Sequence, residues 1–222
     1  MKKSVYSLVL MDEVVEAIDR MAYAMNTSRS SLINQVLADY ASCVTPESRM
    51  KDIFSRVEEL MQGVDTFQVQ LQPSDAMLSI RSALRYKYKP TIRYSVELYR
   101  DARQVVGELR VTSRSQSQAL LEVLDGFFHR WSQLEQGYLG PLFPGGQVPS
   151  QIGEGRFRRQ FLLPREQDRQ TNDQVAQAIA GYIRFFDRAM KVYFQESGDP
   201  AAAGAQLEQL YRSQLKKGIT VI

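Results

Sequence analysis

Residues 67–98, FQVQLQPSDAMLSIRSALRYKYKPTIRYSVEL, decide the predicted fold, because apolar side chains recur in them at every second position. A period of two is typical of strands that bury one face of a sheet and expose the other. The alternation is strict over 67–72, resumes over 78–89, and continues over 92–98 after a turn at Pro90. The stretch therefore predicts consecutive strands of an antiparallel sheet.

The polar side of this predicted sheet is basic. Residues 64–114 hold nine Lys and Arg against five Asp and Glu, a net charge of +4, whereas residues 1–44 hold four against five, a net charge of −1. We assign five cations to one auxiliary nucleic-acid face: Arg81, Arg85, Lys87, Lys89 and Arg93. Such a face attracts phosphates, and salt weakens the attraction. Charge on an exposed sheet face is also the usual state, so the alternative is a solvated face on a dimerisation or sensing domain.

The segments that follow complete this domain. A strand is predicted at 105–111, and the helical pattern of residues 117–136, SQALLEVLDGFFHRWSQLEQ, aligns apolar side chains that can cover the sheet. Residues 137–173 are rich in Gly and Pro and are predicted to be an irregular connection, in which GRFRRQ is a small basic loop patch. Two further helical patterns, at 172–195 and 205–216, predict a helical C-terminus.

The order of four strands and a helix resembles PUR-type single-strand-binding modules. That resemblance implies binding of single-stranded nucleic acid by the basic sheet face, with exposed aromatic rings for base stacking. In this sequence Tyr86, Tyr88 and Tyr94 fall on the apolar side of the predicted strands, and Tyr99 alone shares the polar face. Single-strand binding is therefore a third hypothesis that only the strand order supports.

The N-terminal residues also alternate. Residues 3–10 predict a strand, and two short helical patterns follow, the first capped by Asp12 and the second beginning at about Ser28. No other strand lies close enough in sequence to pair with residues 3–10, and a unit of this size is near the lower limit for folding alone. We therefore expect a second copy of the chain to complete the ladder. A third helix, residues 45–63, connects this unit to the sheet.

The text SLVLMDEVVEAIDRMAYAMNTSRSSLINQVLADY, residues 7–40, resembles the ribbon-helix-helix family typified by the MetJ, Arc and CopG repressors. The resemblance covers about residues 3–42 and includes the acid pair after the strand, EAIDRMA on the first helix, and TSRSSLI at the start of the second. It implies an intertwined dimer whose strands enter the DNA major groove.

The resemblance also implies which residues touch DNA. The outward strand residues, which would contact base edges, are Lys3, Val5, Ser7 and Val9. Two valines here depart from the family, whose exposed strand positions carry hydrogen-bonding side chains; valines contact thymine methyl groups instead. The start of the second helix, which in the family holds a DNA phosphate, corresponds to Ser28, Arg29 and Ser30. On the alternative interpretation, Ser28 only caps the helix and Arg29 is solvated.

Composition and residue types argue against several other functions. One cysteine, Cys43, and one histidine, His129, make a metal site improbable on sequence grounds, and neither has a catalytic signature beside it. We therefore expect no enzyme activity and no cofactor. The lone Cys43 fits a reducing cytoplasm, and no signal peptide or membrane span is predicted.

Together these patterns predict an α+β protein. The expected domains are a ribbon-helix-helix unit at 1–44, a connecting helix at 45–63, and an antiparallel sheet packed by helices at 64–222. The expected function is sequence-specific regulation of transcription, as a repressor, by a dimer or higher oligomer that binds double-stranded DNA. The alternative is a protein-interaction role, such as an antitoxin or a partition accessory, in which the ribbon only joins two copies.

Overall fold

The computed structural model describes residues 5–63, 66–70, 76–87, 89–100, 105–115, 117–163, 170–218 and 222. Lys3 and Tyr88 lie outside the described residues. The chain divides into two compact units, Met1–Arg49 (unit 1) and Met50–Ile222 (unit 2).

Unit 1 consists of two complete helices and the start of a third. They are α1 (Asp12–Ala24), α2 (Arg29–Tyr40) and α3 (Pro46–Met61), of which the last continues into unit 2. Ser28 caps α2, since its Oγ accepts a hydrogen bond from the N–H of Ser31 at 3.2 Å. Ala22 in α1 and Leu32 in α2 are the residues that these two helices bury. The unit therefore has a very small core of its own.

The predicted N-terminal ribbon is wrong. Three helices come before the sheet, and within the described chain residues 5–10 pair with no strand. Val5 and Val9 are 99% and 102% exposed, and Tyr6 between them is 85% exposed. Alternation marks a strand only where one face is buried, and here neither face is covered. The fold class of a strand-helix-helix unit followed by a sheet is therefore corrected to helices followed by a sheet.

Unit 2 contains a six-stranded antiparallel sheet. The strands are β1 (Phe67–Gln70), β2 (Met77–Ala83), β3 (Thr91–Leu98), β4 (Val105–Ser113), β5 (Ser150–Gly153) and β6 (Arg156–Leu162). Their order is β1-β2-β3-β4-β6-β5, so the β5–β6 hairpin adds to the edge that β4 leaves free. Apolar side chains on one face of these strands, such as Ile80, Val96 and Leu109, are fully buried.

Helices cover the apolar face of the sheet. After β4 the chain forms α4 (Gln118–Tyr138), and after β6 it forms α5 (Asn172–Gln195) and α6 (Pro200–Lys216). Aromatic rings fill the core, and the Phe186 ring lies 4.9 Å from that of Trp131 and 5.3 Å from that of Phe157. Tyr94 is buried, as its alternation predicts, and its hydroxyl donates to Asp187 at 2.9 Å.

Two segments differ from the predicted boundaries. The strand predicted over 78–89 ends at Ala83, because the chain turns there and the N–H of Leu84 bonds to the carbonyl of Pro90 at 2.9 Å. The segment 137–173 is not irregular throughout, since it contains β5 and β6 joined by a turn at Glu154 and Gly155, both with positive φ. GRFRRQ therefore lies largely in a strand rather than in a loop.

The apolar alternation of β6 is interrupted in the sequence because one of its inward residues is charged. Arg159 is 1% exposed and its Nε lies 3.1 Å from Oε1 of Glu135, which is also buried. Arg159 also donates to the main-chain oxygen of Ile222 at 2.6 Å. A buried ion pair of this kind is costly to break, because either partner alone would be an uncompensated charge.

In the part of the chain that the structure describes, no helix has the length and hydropathy needed to cross a membrane.

Candidate nucleic-acid interface

Three arginines form a line across the polar face of the sheet. The strand register pairs Arg81 with Arg93, Arg93 with Thr112, and Thr112 with Arg156, so these side chains leave the same face. We call Arg81, Arg93 and Arg156 the basic row. Among the described residues no ion pair joins them to a carboxylate, and the hydrogen bond of Arg93 goes to the neutral Gln70 at 3.4 Å. The basic row therefore keeps its positive charge.

The arginines one register step away behave differently. Glu108 is completely buried on this face, and Nε of Arg158 donates to it at 2.7 Å while the Tyr99 hydroxyl donates at 2.9 Å. Arg110 also bonds to Glu108, and reaches Glu97 at 3.1 Å. We call Glu97, Glu108, Arg110 and Arg158 the paired cluster.

The pKa of Glu108 reflects this environment. Burial raises it, but the hydrogen bonds from Arg158, Tyr99 and Arg110 outweigh burial, so the pKa lies below the ordinary value of 4.5. Glu108 is therefore ionised at neutral pH and neutralises much of the field of its two arginines.

A basic cleft lies where β2 and β4 end and where β3 and α4 begin. It has a volume of about 650 Å³ and is lined by Arg81, Tyr86, Lys87, Pro90, Thr91, Arg93, Ser113, Arg114, Ser115, Ser117, Ala119 and Leu120. Four of these residues are cations. The cleft therefore joins one end of the basic row to the loop that precedes α4.

The structure brings together part of the predicted basic face. Arg81, Lys87 and Arg93 line the cleft, as expected for residues near one end of neighbouring strands. Arg85 and Lys89 are exposed in the turn after β2 and are not among the cleft residues. They leave the sheet because β2 ends before them, so the predicted face loses two of its five cations.

The predicted DNA contacts of unit 1 have a different geometry. Val5, Ser7 and Val9 are exposed in the described segment before α1. At the start of α2, Ser28 is the cap and Arg29 forms an ion pair with Asp19, while Ser30 is exposed. Because Asp19 already neutralises Arg29, this turn offers a phosphate less charge than the sequence indicates.

Sequence reasoning missed other cations of this face. Arg114 and the serines beside it sit in TSRSQSQ, between a predicted strand and a predicted helix, where serine is also an ordinary cap. Arg156 belongs to GRFRRQ, which the sequence predicts as a loop patch, but it begins β6. The signal that identifies it is the spacing of Arg156 and Arg158 around the inward-facing Phe157.

The other polar residues considered from the sequence form no site. His129 is exposed, and its Nδ1 lies 2.8 Å from the carbonyl oxygen of Asp125. Cys43 is an exposed free thiol. Within the described ranges no group of three His, Cys, Asp or Glu side chains is arranged to hold a metal ion.

Comparison with known proteins adds no functional assignment to this geometry. No protein-family model, no curated protein and no solved structure matches the chain.

Proposed function

We propose that this protein binds double-stranded DNA through the polar face of its sheet and acts, as a self-associating protein, to repress transcription. The observation that carries the proposal is the basic row, three arginines aligned across four neighbouring strands without a carboxylate partner among the described residues. Arginine binds phosphate oxygens in a two-pronged geometry, which suits a backbone contact.

The chemistry of the face favours a duplex over a single strand. Proteins that bind single strands stack successive bases on exposed aromatic rings. Here Tyr94 is buried and the Tyr99 hydroxyl is bonded to Glu108, so these two tyrosines supply no such row of rings. A duplex keeps its bases stacked and presents phosphates, which need only the charges that this face offers.

Binding through phosphates alone carries little sequence information. Sequence preference in this proposal therefore depends on the other polar side chains of the face, such as Gln68 and Thr112, which share its rows with the arginines. Amide and hydroxyl groups of this kind can reach base edges in a groove.

The first test measures binding of the full-length protein to a fluorescent duplex and to a single strand of the same length, over a series of salt concentrations. The variant R81A/R93A should lower the slope of log K against log salt by about 1.8, or about 0.9 for each lost phosphate contact. The matched control is R184A/R188A, which removes the same charge from exposed positions on α5. Equal losses in the two variants, or tighter binding of the single strand, would contradict the proposal.

The second test asks whether binding is specific. Fragmented genomic DNA is mixed with the purified protein at physiological salt, and the bound pieces are sequenced. Enrichment of fragments that share a short repeated site is expected for a repressor, because two copies of a protein contact two half-sites. Uniform recovery of the fragments would agree with duplex binding but would contradict the regulatory role.

A second candidate function is protein interaction through unit 1. Large apolar side chains are exposed there, among them Val5, Val9, Tyr23 and Tyr40, each more than 90% exposed. The partner that we favour for these side chains is a second copy of the chain. Unit 1 has few buried residues, and its near-neutral charge does not repel another copy. This self-association also serves the DNA-binding proposal.

Sedimentation of the full-length protein tests self-association. Val9→Asp should weaken it at least about tenfold, since a buried valine contributes about 1.5 to 3 kcal/mol. Leu142→Asp, the same kind of change at an exposed position of unit 2, is the control and should leave the mass unchanged. A monomeric wild-type protein at micromolar concentration would exclude this role.

A further inference from the structure

The cleft differs from the rest of the polar face because it is concave as well as basic. Its volume of about 650 Å³ lies in the range of small-molecule sites, roughly 300 to 1,000 Å³. Arg81, Lys87, Arg93 and Arg114 line it, and no ion pair joins them to a carboxylate in the described residues. Four cations around one space repel one another, so an anion of more than one charge would stabilise them.

Hydroxyl groups lie among these cations. Ser113, Ser115 and Ser117 all line the cleft, and Ser115 Oγ accepts a hydrogen bond from the N–H of Ser117 at 3.1 Å. The Oγ of Ser113 is buried, yet it has no hydrogen-bond partner in the described part of the chain. Because buried polar atoms are nearly always bonded, this oxygen is an exception, and it lies beside the cleft.

The start of α4 adds positive potential to the cleft. Ser117 precedes the helix without a side-chain cap, and the first turn of α4 contains no acid. By contrast, Thr171 and Gln174 form a capping box at α5, and Asp199 caps α6. The N–H groups at the start of α4 are therefore available to an anion bound beside the arginines.

Three apolar residues also line the cleft, namely Tyr86, Pro90 and Leu120. The partly exposed Tyr86 ring is held edge-on by Phe194 at a centroid distance of 5.3 Å. One fixed aromatic ring can stack a single flat base but cannot hold a run of bases. A ligand that matches both the cations and the ring carries phosphate and a flat base.

We propose that the cleft binds a nucleoside phosphate, with its phosphates against the cations and serines and its base against Tyr86. This chemistry has two sources, a free nucleotide and the phosphorylated end of a nucleic-acid strand. The proposal goes beyond duplex binding, although the cleft shares Arg81 and Arg93 with the basic row.

Calorimetric titration of the full-length protein with ATP, AMP, adenosine and tripolyphosphate tests the ligand class. ATP should bind most tightly, with adenosine at least about a hundredfold weaker because it lacks the charge. Tripolyphosphate should bind about tenfold more weakly than ATP because it lacks the base. No heat with ATP at millimolar concentration would overturn the proposal, and equal binding of ATP and tripolyphosphate would overturn the role of the base.

Short strands with and without a 5′-phosphate identify the source. If a strand end is the ligand, the phosphorylated strand binds more tightly and ATP competes with it. If a free nucleotide is the ligand, both strands bind alike, and ATP weakens both equally because the cleft shares Arg81 and Arg93 with the basic row. Either result supports a nucleoside phosphate site, provided that ATP itself binds.

Variants locate the site and separate this proposal from DNA binding. Arg114→Ala should weaken ATP binding about tenfold, and Ser115→Ala about threefold without any change in charge. Duplex affinity should change less than about twofold in Ser115→Ala, and R184A/R188A should leave ATP binding unchanged.

ATP binding that neither cleft variant weakens overturns the site. A duplex that binds while ATP does not overturns this proposal alone, and ATP binding without duplex binding overturns only the proposed function.

Discussion

The paired cluster and the basic row lie on the same face of the same sheet, and both contain arginines. The charge of these arginines is balanced by carboxylates in the paired cluster and is not balanced in the basic row. In the paired cluster, Arg110 and Arg158 surround the buried carboxylate of Glu108. In the basic row, Arg81 and Arg93 are adjacent on β2 and β3 without an acid between them. The difference arises from one register step, since Glu97 and Glu108 face each other near one end of β3 and β4.

The number of arginines on a sheet face therefore does not give the positive charge that is available to phosphate. An arginine whose charge is balanced by a buried carboxylate stabilises the sheet, whereas an unbalanced one remains available to phosphate. The position of two glutamates therefore decides which part of the face we assign to DNA.

The largest expected effect comes from the glycine that allows β3 and β4 to align the two glutamates. A Cβ at Gly107 would lie 2.1 Å from the carbonyl oxygen of Glu97, so Gly107→Ala must push the strands apart. We expect the free energy of unfolding to fall by about 3 kcal/mol. Urea unfolding followed by the fluorescence of Trp131, the single tryptophan, measures it.

The control for that prediction is Gly137→Ala on α4, where a Cβ meets nothing within 4 Å. Alanine there should stabilise the protein by up to about 1 kcal/mol, because it favours helix. Similar effects of the two substitutions on the free energy of unfolding would contradict the idea that a Cβ at Gly107 clashes with β3.

The next effect comes from removing the charge inside the paired cluster. Glu108→Gln should cost about 2 kcal/mol, since it weakens charge-assisted bonds to a buried group. It also leaves Arg158 without a carboxylate and Arg110 with Glu97 alone, so duplex affinity should rise about threefold. Unfolding and anisotropy titrations measure the two quantities, and an unchanged affinity would show that these arginines do not face DNA.

A pH series sharpens the same point. Because the pKa of Glu108 is lowered in the folded protein, its contribution is complete above pH 4.5 and is lost as the pH falls below that value. The wild type should therefore lose more stability than Glu108→Gln as the pH falls from about 5 to about 3. Burial raises the pKa of Glu135, which acts in the opposite direction, but Glu135 is present in both proteins and cancels in the comparison. Parallel pH profiles would contradict the prediction.

The smallest effect is expected at the outer acid of the paired cluster. Glu97 is 34% exposed and Arg110 is 46% exposed, so Glu97→Gln should cost less than about 1 kcal/mol. Duplex affinity should change less than twofold, because Glu108 still holds Arg110. A loss of stability as large as that of Glu108→Gln would show that Glu97 and Glu108 act as one network.

Sequence patterns predicted strands β1 to β4 well and the β5–β6 edge poorly. Strands β1 to β4 alternate because one face of each is covered, which is the condition under which a period of two carries information. The N-terminal stretch alternates without any cover in the structure, so the same pattern there was wrong. The β5–β6 hairpin was missed because Arg159 occupies an inward position and Gly and Pro surround the strands.

The candidate site was predictable only where it is local in sequence. Arg81, Lys87 and Arg93 follow from alternation in neighbouring strands. Arg114, Ser113 and the α4 start reach the cleft from the far end of β4, and only the strand register brings them there. The acids that neutralise Arg110 and Arg158 were likewise visible in the sequence, but the pairing that selects them is a property of the sheet.

The basic row consists of arginine alone, and this restricts how a cell can regulate it. Lysine acetylation removes a positive charge, but it does not act on a guanidinium group, and arginine methylation leaves the charge in place. The guanidinium group also stays protonated throughout the physiological pH range. The charge of the row is therefore constant. If the proposed DNA binding is regulated, we expect the control to come from competing anions, from salt, from the number of copies that assemble, or from methylation that blocks the hydrogen bonds of the guanidinium groups.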